Sequence, residues 1–130
     1  MITLKEVYLL QEREDLLFVA SELVKHYRLK SKVKFGTYGG DQGGYNWDTD
    51  TIMLNKYYPK VSEFIITVLH EIHHALQIQK YGRKKFMKKY QQASNMADLD
   101  GKDRYLANKW EKKAENWAQQ EYRKKWKNNF

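Results

Sequence analysis

Residues 61–82 read VSEFIITVLHEIHHALQIQKYG, and no other stretch constrains this chain as tightly. Phe64, Ile65, Val68, Leu69, Ile72, Ala75 and Leu76 fall nearly all the way round a helical wheel, which predicts a helix buried on most sides. Ser62 is the expected N-cap and Gly82 the expected stop. Yet the middle of this helix is HEIHH, which holds three of the chain's four histidines within five positions. Burying two imidazoles and a carboxylate without partners costs on the order of several kcal/mol, and a metal ion removes most of that cost.

His70 and His74 stand one turn apart on the same helical face, so both imidazoles can point at one ion. Glu71 adjoins the first of them and reaches a water on that ion without ligating it. This His-Glu-x-x-His arrangement is what a zinc hydrolase requires, namely ligands with an adjacent general base. His73 lies about 100° round the helix from His74 and is expected to pack or to hydrogen-bond behind the site. His26 is expected at the end of the first helix, facing its dipole.

The chain contains no cysteine. Disulfide frameworks, thiolate zinc sites and thiol nucleophiles are therefore excluded, and a metal must be held by His, Asp or Glu. Catalytic zinc takes three protein ligands and keeps one position for water, so a carboxylate is the expected third. The segment NKWEKKAENWAQQEY offers Glu111, Glu115 and Glu121. Glu111 and Glu115 are one turn apart, and Ala114 and Ala118 let their helix approach another closely. One glutamate can ligate while its neighbour holds a ligating histidine from behind. Glu121 lies more centrally on the apolar face, and periodicity leaves the choice open.

Around these two helices the chain reads as a small α+β domain spanning residues 1–130. Thr3 and Glu6 form a capping box ahead of a stripe of Val7, Leu10, Leu17, Ala20, Val24 and Tyr27, which predicts a helix to about residue 29. KVKFGTY, YNW and TIML are β-prone, with GGDQGG a flexible break and DTD a turn, and together they predict a small antiparallel meander. RKKFMKKYQQ is expected as a short basic helix and ASNMADLDGKD as a loop. A long C-terminal helix follows, with Leu106, Trp110, Ala114 and Trp117 facing inward.

LHEIHHALQ and NKWEKKAENWA together resemble the small zinc metallopeptidases of the ImmA/IrrE type, compact HExxH proteins common in phages and mobile elements. The resemblance covers roughly residues 30–122. In that family the third ligand is a Glu in a Glu-x-x-Ala-Asn/Asp-x-Phe-Ala pattern. Glu111-Lys-Lys-Ala114-Glu115-Asn-Trp117-Ala118 fits this frame, with Glu115 at the Asn/Asp position. The resemblance thus implies a minimal zincin with one Zn²⁺ per chain, held by His70, His74 and Glu111, and Glu115 behind a ligating His. The spacing from His74 to Glu111 is longer than the family's usual one.

The expectation is a metalloendopeptidase that hydrolyses peptide bonds with a zinc-activated water and Glu71 as general base. Tyr90, Tyr105, Tyr122 and His73 are candidate donors to the oxyanion, and TIML is the expected edge for an extended peptide or protein substrate. A second reading is a binding module for nucleic acid or an acidic protein, with zinc structural or vestigial. It draws on charge: residues 1–79 hold nine Lys and Arg against ten Asp and Glu, while residues 80–130 hold fifteen against six. A solvated helix surface is the plainer account of that excess. The N-terminus lacks the pattern of a signal peptide and FIITVL is too short to span a membrane, so a cytoplasmic protein is expected.

Overall fold

A computed structural model describes residues 13–36 and 43–128, and all structural statements below concern those residues. The order is α1 (Arg13–His26), β1 (Lys32–Gly36), β2 (Gly43–Asn46), β3 (Thr51–Asn55), α2 (Val61–Tyr81), α3 (Arg83–Leu99) and α4 (Lys109–Glu121), with a π-helical turn at Tyr122–Trp126. The expected α+β class holds, with four helices and one three-stranded sheet.

α2 is the buried helix its composition predicts, and its apolar side chains from Val61 to Ile72 form the largest share of the main core. Its N-cap is Lys60 rather than Ser62, with no side-chain cap. Gly82 does end it: at φ 82° it sits where a side chain is disfavoured, and its N–H bonds the Ile78 carbonyl. α1 packs on β1 and α2 through Leu16, Ala20, Leu23 and Val24. Leu17, expected on the inner stripe, is 39% exposed, so the buried face is rotated by about one residue. The capping box at Thr3 and Glu6 lies outside the described residues.

The sheet corrects the expected antiparallel meander. Its order is β1-β3-β2, with β1 parallel to β3 and β2 antiparallel to it. The composition of each strand explains its place. Thr51, Ile52 and Leu54 are buried, which suits the centre, whereas Lys32 and Lys34 give β1 the charged edge that discourages further pairing. TIML is thus central and not an edge. β2 takes the other edge, and it begins inside the expected glycine break. A Cβ on Gly43 would lie 2.9 Å from both the Met53 carbonyl oxygen and Thr67 Cγ2, so only glycine lets this strand approach β3 and α2 so closely.

α3 continues through the expected loop to Leu99, because Ala93, Ser94 and Ala97 are small enough to bury against α4. α4 starts later than expected, and Leu106, 71% exposed, precedes it. Its cap is Asn108, fully buried: Oδ1 accepts from the Trp110 N–H at 2.8 Å. The Asn108 amide donates to the Tyr90 carbonyl at 3.1 Å and to Ser94 Oγ at 2.9 Å. Trp110 Nε1 also donates to the Lys89 carbonyl at 3.2 Å. A second, aromatic core of Phe86, Trp110, Tyr81, Tyr90 and Trp47 fills the space beneath α3. No described helix is long and apolar enough to cross a membrane.

Candidate metal centre

α2 and α4 pack against each other, and Ala114 and Ala118, both fully buried, permit the close approach. This places Glu111, in the first turn of α4, against the histidine face of α2. Glu111 Oε1 lies 2.8 Å from His70 Nε2 and 2.8 Å from His74 Nε2. The other oxygen accepts from the Tyr90 hydroxyl at 2.5 Å. His70 Nδ1 lies 3.0 Å from Glu115 Oε1, and His74 Nδ1 lies 2.8 Å from Gln77 Oε1. His70, His74 and Glu111 are all buried.

The protons show what these contacts require. Glu115 Oε1 can only accept, so His70 carries hydrogen on Nδ1. The Gln77 amide nitrogen faces the Trp110 carbonyl at 3.5 Å, which leaves its oxygen to accept from His74 Nδ1–H. A neutral imidazole with hydrogen on Nδ1 has a lone pair on Nε2. Both lone pairs then converge on an anionic oxygen, with no hydrogen between them. The arrangement is satisfied either by two imidazolium ions or by one shared cation at the Nε2 ends. The residues fit a divalent ion such as zinc: two neutral imidazoles and one carboxylate, with each imidazole held by an acceptor on its far nitrogen.

The electrostatics agree. Burial alone lowers the pKa of His70, but Glu111 and Glu115 on its two nitrogens outweigh it and lift the value to about 10. Burial raises the pKa of Glu111, and the bonds from His70 and His74 overturn this and hold it far below the usual carboxylate range. The bond to His70 also holds Glu115 below its ordinary value. Tyr90 is pushed up, by burial first and then by its bond to Glu111. The protein atoms by themselves create a site that favours positive charge.

Glu71 is buried on α2, and one oxygen of its carboxylate lies within 4.8 Å of nitrogens of His70 and His74. It could be counted as the third ligand on that spacing. Glu111 offers a single oxygen in contact with both Nε2 atoms. Glu71 instead lines a cleft of about 520 Å³ with Gly43, Thr67, His70, Glu111 and Tyr105.

The four candidate oxyanion donors separate. Tyr105 lines the cleft, and Tyr90 is committed to Glu111. His73 packs on Trp117 at 5.0 Å between ring centroids; burial and the two neighbouring histidines lower its pKa to about 4, leaving it neutral. Tyr122 packs on the main core. Glu121, the alternative on the apolar face, accepts from Tyr27 Oη at 2.7 Å at the far end of α4. His26 closes α1 and meets Tyr27 and Trp126 edge-on.

Gln77 and Asn108 are site-building residues that the sequence reading missed. Gln77 stands three residues after His74, the spacing of a same-face pair, and Asn108 has the residue type and position of a helix cap. No family model, curated protein or solved structure matches this chain.

Proposed function

We propose that the chain is a zinc-dependent metalloendopeptidase. The observation that carries the reading is the convergence of the His70 and His74 Nε2 atoms on one Glu111 oxygen, beside a cleft lined by a further glutamate, Glu71. His70, His74 and Glu111 would hold the ion. A bound zinc would act as a Lewis acid that acidifies water and polarises a carbonyl. The resemblance of HEIHHALQ and EKKAENWA to the ImmA/IrrE-type metallopeptidases supports the same assignment.

The chain's own residues supply the rest. Glu71 faces the cleft and serves as general base, taking a proton from the attacking water and passing it to the leaving amine. Glu115 and Gln77 hold the imidazoles in the tautomer that leaves Nε2 free. Tyr105 lines the cleft and would donate to the oxyanion. The outer edge of β2 begins in the cleft at Gly43, so an extended peptide would add alongside β2, not TIML.

Cleavage of a flexible protein substrate by the wild type and by Glu71→Gln, with metal content measured on both, tests this reading. Cleavage by the wild type alone, at equal zinc content, is the expected result. Equal rates would sink the mechanism.

A further inference from the structure

We propose that the groove between α3 and the start of α4 binds the phosphate backbone of duplex nucleic acid without regard to sequence. This inference is independent of the metal chemistry. The groove encloses about 410 Å³, and Lys89, Lys102, Lys109 and Lys112 line it over a floor that includes Ala97 and Trp110. One carboxylate, Asp100, faces these four ammonium groups.

The cluster extends beyond the groove. Lys80 and Lys89 lie 5.2 and 5.3 Å from the centre of the Tyr81 ring. Lys109 and Lys113 lie 4.9 and 4.7 Å from that of Trp110. The two rings are themselves 5.7 Å apart. Six lysines from α2, α3, the α3–α4 connection and α4 thus gather on neighbouring aromatic rings and a groove wall. None of the six pairs with a carboxylate among the described residues, whereas Arg83, Arg104 and Lys125 do.

A solvated helix surface scatters its charges and alternates their signs. Here like charges collect around one groove and two adjoining rings, where they repel, and a line of phosphates relieves that repulsion. The groove is concave, so it admits a phosphate ridge and not a flat bilayer. Trp110 is 5% exposed and cannot stack on a base, which confines contacts to the backbone. The excess of basic residues in positions 80–130 acquires a location by this reading.

The test is fluorescence anisotropy of the full chain with a labelled duplex of mixed sequence across a salt series. Four neutralised phosphates predict a slope of log affinity on log salt of about −3.6. Lys89→Gln with Lys109→Gln should flatten the slope by about 2 and weaken binding of unrelated duplexes alike. Lys84→Gln with Lys85→Gln removes the same charge from α3 outside the groove and should leave the slope nearly unchanged. Circular dichroism confirms that each variant is folded, and glutamine retains most of the lysine stem. No binding at low salt, or equal losses in the two double variants, would overturn the proposal. Equal binding to phosphatidylserine vesicles, with the same dependence on Lys89 and Lys109, would reassign the groove to membranes and overturn it too.

Discussion

Glu71 and Glu111 are buried glutamates beside the same two imidazoles, and their surroundings give them different work. Both oxygens of Glu111 are engaged, one by His70 and His74 and the other by Tyr90, and Glu71 lines the same cleft from α2. Glu71→Gln should therefore bind zinc normally and lose on the order of 10² to 10⁴ in cleavage rate. Glu111→Ala should weaken zinc binding more than Glu115→Ala, and Glu121→Ala should leave it unchanged, as titration with a competing chelator would show. An equal effect of Glu121→Ala would return the choice of ligand to the apolar-face argument. The metal-free protein carries a further signature. Its His70 pKa is raised from 6.5 to about 10, so the stability it contributes is complete below 6.5 and is lost as pH rises towards 10. The melting temperature of chelator-treated protein should fall across that window, and added zinc should abolish the fall because the ion replaces the proton. A melting temperature that rises between these limits without metal would contradict the contacts assigned to His70.

Helices α2 and α4 were legible in the sequence because their requirements are local: an apolar circumference, a HExxH spacing, and alanines one turn apart. The sheet was not. Its strands read correctly as β-prone, but KVKFG and TIML carry no local signal of parallel pairing, and β3 becomes central only because β1 bears lysines and β2 bears glycines. The loop expected at residues 93–99 is helical for a tertiary reason, since Ala93, Ser94 and Ala97 bury only once α4 covers them. Asn108 lies where these elements meet. Its side chain caps α4 and ties it to α3, three residues ahead of Glu111. Asn108→Ala should cost about 1–3 kcal/mol in urea unfolding, since it strips a cap and leaves buried polar groups unpaired. Zinc affinity should fall with it as Glu111 loses its anchor. A variant as stable as the wild type would show that other contacts set the start of α4.

At the scale of the whole molecule, the candidate metal site joins what are otherwise two cores. His70 and His74 come from α2, Glu111 and Glu115 from α4, and Tyr90 from α3, which is packed on the separate aromatic cluster. A bound ion should therefore stabilise the domain globally. Zinc at 100 times its dissociation constant adds about 2.7 kcal/mol, which raises the melting temperature of a domain this size by roughly 10 °C. The account stands or falls on the metal itself, and the most direct measurement is zinc per chain after purification without chelator. About one zinc is predicted for the wild type and for Glu71→Gln, and little or none for His74→Ala and Glu111→Ala. A wild type without zinc, or His74→Ala with its zinc intact, would contradict the centre described here.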